Sequence, residues 1–246
     1  MATSLGSIRT YPSYLKDQKS MKLATSTNSI QFATLLLGVV LHNSSQAQQS
    51  PPFGKKLPAT AQALRDFVPS GWTVENQVSG DLNGDGLADI AAVVVEGKGT
   101  AEAYDRQRGL IVLLAGAGKG YSLLGSNDKL LQCQGCGGVK DGVNVAVKNG
   151  VLVVSQYSGS REYSVYTWRF RLDAASQRLQ MIGIDEEEAD GMVGKGSTVS
   201  TNLLTGQQIS ESYQYDEKRD RKVILSSKKG KVAKSMTLLE DAAGSQ

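Results

Sequence analysis

Residues 80–94 read GDLNGDGLADIAAVV. Counting from Asp81, oxygen-bearing side chains fall at positions 1, 3, 5 and 9 (Asp81, Asn83, Asp85 and Asp89). Gly86 stands at position 6, where a sharp turn needs a residue without Cβ, and the Leu87 carbonyl follows at 7. Alternate side-chain oxygens of this kind curl around one hard cation, and without an ion three carboxylates crowd and repel. The expected ligand set for Ca²⁺ is therefore Asp81, Asn83, Asp85, the Leu87 carbonyl and Asp89. The competing reading is an Asn-Gly/Asp-Gly turn that holds no metal.

The residues after the loop decide the fold. An EF-hand needs a bidentate Glu at position 12 and a helix on each side. Position 12 is Ala92, and the chain continues as IAAVVVE, a β-branched run that reads as a strand. The loop belongs to a β-hairpin, and here it resembles the calcium loop of the FG-GAP/VCBS repeats found in integrin-type propellers. The similarity extends from VSGDLNGDGLADIAAVVVE to RGLIVLLAGAGKGYSLL and covers about residues 74–124. The resemblance implies one antiparallel propeller-blade-like unit stabilised by Ca²⁺. Family propellers string several copies together, whereas this chain has one, so a sandwich or a small irregular β-fold is equally open.

Outward from that unit the pattern stays β. After a short expected helix over 60–67, capped by Thr60 and stopped by Pro69, the apolar period becomes two. Strands are expected near 72–79, 89–96, 109–115, 120–124, 143–148, 151–157, 163–172, 178–184, 207–215, 221–227 and 231–238. Asn149-Gly150 is the clearest hairpin turn, with Thr205-Gly206 and Lys229-Gly230 weaker ones. Short connections favour antiparallel pairing. The fold class is mainly β: antiparallel sheets with hairpin connections, in a single domain over 59–246 preceded by a flexible entry segment at 48–58.

Residues 1–47 read as an N-terminal extension followed from Met21 by a secretory leader. Lys22 supplies the basic start, Phe32–Leu41 the apolar run, and Ser45-Gln46-Ala47 the small-x-small cleavage signal. That apolar run is half of the about 20 residues a membrane span requires. Export to the periplasm or the exterior, with cleavage after about Ala47, is the expectation, and the mature chain has no transmembrane segment. About 200 residues then remain, enough for one domain with a proper core.

The leader also carries the surplus charge. Lys and Arg number 27 and Asp and Glu 24; the leader holds four of the former (Arg9, Lys16, Lys19, Lys22) and one of the latter (Asp17), so the remainder balances at 23 each. This balance gives no general attraction to nucleic acid. The single histidine, His42, lies in the leader as well, which removes Ser-His-Asp, Cys-His and His-metal chemistry from the mature chain.

Other features carry weaker signals. Cys133 and Cys136, the only cysteines, lack the partners for zinc and the βα context of a redox motif. A local disulfide is expected, closing so short a loop that it contributes only about 2 kcal/mol; free thiols and redox activity are the alternatives. Gly118-Lys119 lacks the upstream glycine of a phosphate loop. Asp185–Asp190 reads as a solvated acidic loop or a second cation site. On strand 163–172, Tyr166, Trp168, Phe170 and Leu172 face one side, leaving Val165, Thr167, Arg169 and Arg171 on the other. Arg161, Tyr163, Arg169 and Arg171 form a candidate interaction surface. Eight cations between Lys218 and Lys234 either blunt a sheet edge or meet an acidic partner or anionic envelope surface.

Taken together, the residues point to an exported, non-enzymatic calcium-binding β-domain with a structural or interaction role. The partner would be a protein, a glycan or the envelope. Two alternatives stand beside it. One is a hydrolase using paired carboxylates drawn from Asp105, Asp128, Glu162 and Asp216, and the other is an inhibitor or immunity-type protein.

Overall fold

The computed structural model describes Phe53 and residues 57–97, 105–118 and 120–244. All of these lie in the compact unit Gln48–Gln246. The leader, His42, the cleavage signal at Ala47, most of the entry segment and Lys119 fall outside the described residues.

Twelve strands are present among the described residues, all paired antiparallel. The first sheet holds β1 (Thr60–Ala61), β2 (Trp72–Gly80), β3 (Asp89–Glu96), β4 (Arg108–Ala115) and β5 (Tyr121–Asn127), in the order β1-β5-β4-β3-β2. The second is a plain meander of seven: β6 (Gly142–Lys148), β7 (Val151–Gly159), β8 (Glu162–Leu172), β9 (Leu179–Asp190), β10 (Lys195–Asn202), β11 (Gln207–Asp216) and β12 (Arg221–Lys231). At the β6–β7 turn both Asn149 and Gly150 have positive φ, 52° and 72°, the signature of a two-residue type I′ hairpin.

One core lies between the sheets. Ala91 and Val93 of β3 and Leu110 and Val112 of β4 meet Val145, Leu152, Val154, Trp168 and Phe170 of the second sheet. Each large side chain sealed there contributes about 1.5–3 kcal/mol. The reverse face of the first sheet is covered too, by Phe53, Phe67 and Trp72 packed on Val94, Ile111 and Leu113. Strands buried on both faces need continuous apolar runs rather than alternation, which is what Ala91–Val95 and Leu110–Leu113 supply. At the sheet–sheet contact a Cβ on Gly80 would sit 2.7 Å from Val147. That glycine lets β2 and β6 close together and brings the Asp81 loop beside the β6–β7 turn.

Several expectations need correction. The helix over 60–67 is absent: Thr60 and Ala61 pair with Ser122 and Tyr121 as β1, leaving only a 3-10 turn at Leu64–Asp66 with Ala63 at its N-cap. The sheet edge competes for the residues that would start the helix. Asp185–Asp190 is strand, not loop, because β9 is paired on both sides, with β8 and β10. Strand β10 has no counterpart among the expected strands. Lys229-Gly230 lies inside β12 rather than at a turn. Of 231–238 only Lys231 is in a strand. The chain beyond it turns back, its path held by Val232 N–H to the Gly206 carbonyl at 2.8 Å and Met181 N–H to the Thr237 carbonyl at 2.8 Å.

Candidate functional site

The Asp81–Asp89 loop joins β2 to β3. Gly84 and Gly86 hold φ of 84° and 81°, the left-handed region that glycine enters freely. The turn is knit by its own polar groups. The Asp81 carboxylate accepts the N–H groups of Asn83 (3.2 Å), Gly84 (2.6 Å) and Gly86 (2.9 Å). Asp85 donates its N–H to Asn83 Oδ1 (3.0 Å), Leu87 donates to Asp85 Oδ1 (2.7 Å), and Asn83 Nδ2 donates to Asp85 Oδ2 (2.9 Å). The amides of Gly86 and Gly84 hold the Asp81 carboxyl below its ordinary pKa against a small opposing desolvation.

Asp89 is placed differently. It is fully buried, and its two oxygens accept the N–H groups of Leu82 and Ala115, each at 2.8 Å. The loop therefore brings Asp81, Asn83 and Asp85 together, while Asp89 ties the loop to the end of β4. Among the described residues no three Asp, Glu, His or Cys side chains gather closely enough to hold a metal ion. As they stand, these donors are an incomplete cage for Ca²⁺, which takes six to eight oxygens.

Cys133 and Cys136 lie at disulfide distance, closing a turn between β5 and β6. That turn is anchored by an ionic cluster around one buried arginine, which no sequence motif announces. Arg108, 2% exposed, donates to Glu75 from Nε and Nη2 (both 2.7 Å) and to Asp141 from Nη1 (2.8 Å). It also reaches the carbonyls of Gln132 and Cys133 at 3.4 Å, while Gly135 N–H donates to Asp141 at 2.5 Å. Burial opposes the charge on Arg108, but the bonds to Glu75 and Asp141 outweigh it and raise the guanidinium's pKa. Only Arg108 among these residues sits in an apolar run, RGLIVLL, and that local break is the one available signal.

On the outer face of the second sheet, Tyr163 stacks on Tyr157 (centroids 6.4 Å apart) under Lys140 Nζ, 3.7 Å from the Tyr163 ring. Tyr163, Arg169 and Arg171 share that face, and Arg161 lies in the turn before β8. Two of the three arginines are already neutralised. Arg161 donates to Asp190 at 2.7 Å, and Arg169 pairs with Asp185, which also accepts the Ser200 hydroxyl at 2.7 Å. Next along the face, Glu187 accepts from the Tyr213 hydroxyl and from Lys222 Nζ (2.6 Å). Every one of these acids belongs to the run Asp185–Asp190. The acids Asp105, Asp128, Glu162 and Asp216 lie on separate elements: before β4, after β5, at the start of β8 and at the end of β11.

Farther along the same sheet, β10 packs chiefly against β9 and β11, and β12 chiefly against β11. All eleven residues of β12 are exposed, including Val223, Ile224 and Leu225. Arg221, Lys228, Lys229 and Lys231 have no acidic partner among the described residues. No helix in the described residues is long and apolar enough to cross a membrane. No protein-family model, curated protein or solved structure matches the chain.

Proposed function

We propose that this chain is an exported, non-enzymatic interaction module whose working surface is the projecting half of the second sheet. The observation that supports it is the exposure of the whole of β12 beyond the strands that build the core. A sheet needs neither an eleven-residue edge strand nor the exposure of Val223, Ile224 and Leu225 along it to seal its core. Ile224 and Leu225, set among cations on this exposed strand, offer apolar surface to a partner. By the leader reading, with cleavage after Ala47, the module would work in the periplasm or outside the cell, where its partner would be a protein, a glycan or the envelope.

In the same reading, residues 74–124 are one blade-like unit of the FG-GAP/VCBS kind, and its first hairpin turn takes calcium as a structural ion. Asp81, Asn83, Asp85 and the Leu87 carbonyl would hold it, with Asp89 completing the set. Support comes from the gathering of the first three side chains in one turn. Asp81 Oδ2, Asp85 Oδ1 and the two Asp89 oxygens each accept one backbone N–H and keep a second lone pair for a cation. The ion would compensate the charge of the turn, and its role is in folding rather than in chemistry.

The test is affinity capture from a native envelope extract. Wild type is compared with a triple variant, Val223→Ser with Ile224→Ser and Leu225→Ser. Partners retained by wild type and lost by an equally stable variant support the reading. Identical capture by both proteins contradicts it.

A further inference from the structure

We propose that the free edge of β12 accepts an extended acidic segment of a partner protein as an added strand. This deepens the reading of the projecting half as the working surface and rests on it. β12 pairs with β11 on one side and ends the sheet on the other, so one row of its N–H and C=O groups is unpaired among the described residues. Such an edge is a template for an incoming strand, with backbone bonds giving affinity and side chains giving specificity.

The charge on the strand selects the occupant. β12 carries Arg221, Lys222, Lys228, Lys229 and Lys231 and no acid. Among the described residues only Lys222 is engaged, by Glu187. The other four cations face water, so an acidic strand would neutralise them without displacing any existing ion pair. A second copy of this chain is the wrong occupant. Antiparallel self-pairing about Ser226 sets Arg221 against Lys231 and doubles a one-sign field, which destabilises a sheet.

The strand is also shaped for more than protection. Leu225 is the extra residue of a bulge between the Ser212–Ser226 and Tyr213–Ile224 pairs, and it is 62% exposed. Val223 and Ile224 precede it at 37% and 46%. Lysines and a bulge alone would blunt an edge. The apolar residues between the charges give an incoming strand something to pack on.

The probe is a synthetic peptide of Glu-Val repeats long enough to span β12, measured by fluorescence anisotropy and by hydrogen exchange of the β12 amides. Controls are a peptide with proline at alternate positions, which lacks the N–H groups, and a Lys-Val repeat. The Glu-Val peptide should bind the full chain and slow exchange in β12. The proline peptide should bind at least about tenfold more weakly. The variant Lys228→Glu, Lys229→Glu, Lys231→Glu should reverse the preference toward the Lys-Val peptide. Equal binding of the Glu-Val and proline peptides, no binding at all, or self-association that protects β12 would each overturn the proposal. Failure here with continued loss of capture in the apolar triple variant would sink the strand-addition mode and leave the interaction surface standing.

Discussion

The guanidinium of Arg108 grips the carboxylate of Glu75 through two parallel bonds, Nε to Oε2 and Nη2 to Oε1, both 2.7 Å long. Glu75 lies at the bulge in β2, and Asp141, the second anion on Arg108, precedes β6. One buried cation thereby joins both sheets and the disulfide turn.

Removing that cation leaves two part-exposed carboxylates, their side chains 22% and 12% accessible, facing the place of a buried charge. Arg108→Ala should cost about 3–5 kcal/mol in urea denaturation, the range for breaking a buried pair from one side. Arg108→Met combined with Glu75→Gln and Asp141→Asn should recover much of the loss. A cost under about 1 kcal/mol for Arg108→Ala would show that water reaches the cluster.

Two aspartates of one loop, Asp89 and Asp85, should behave differently. Asp89→Asn opposes an amide N–H₂ to one of two buried N–H groups and should cost about 1–3 kcal/mol. Asp85→Asn, in the exposed part of the turn, should stay within about 0.5 kcal/mol when calcium is absent. Denaturant midpoints of the two variants in EGTA check the contrast.

With calcium the exposed Asp85 should matter too. Wild type should melt higher in millimolar calcium than in EGTA, and Asp85→Ala should lose that increment. An unchanged wild-type curve would remove calcium from the account and leave the turn held by its own hydrogen bonds.

Acid should loosen the β9–β10 turn late. The Arg161 side chain, helped by the amides of Met192 and Val193 against some desolvation, lowers the Asp190 pKa from 3.8 to about 2. A carboxylate depressed in the folded state stabilises above its unfolded pKa, and that contribution is lost as pH falls through the folded value. Melting temperature should therefore drop between 3.8 and about 2 more steeply in wild type than in Asp190→Asn. NMR titration of the Asp190 carboxyl would locate the midpoint.

The legible parts of the fold are those where burial writes a period into the chain. In β8, Trp168 and Phe170 alternate with Thr167 and Arg169, and β3 and β4 are unbroken apolar runs. Strand β10, KGSTVSTN, is illegible because neither face enters the core; it is a strand because β9 and β11 pair with it along its whole length. The acidic run reads as a loop for the same reason, since its charges are matched across strands by Arg169, Lys222 and Arg161. At the loop, spacing names the residues that gather but does not show Asp89 turning inward, which depends on the Ala115 amide 26 positions away. Arg108 and its anions are separated by 33 positions on either side, beyond the reach of any local pattern.

Whether β12 is a working surface or a support for the core is read most directly from urea denaturation of Ile224→Ser with Leu225→Ser. A surface role predicts stability within about 0.5 kcal/mol of wild type and an unchanged slope. A loss of several kcal/mol would show that these side chains hold the fold together, and it would contradict the assignment of the projecting half to interaction.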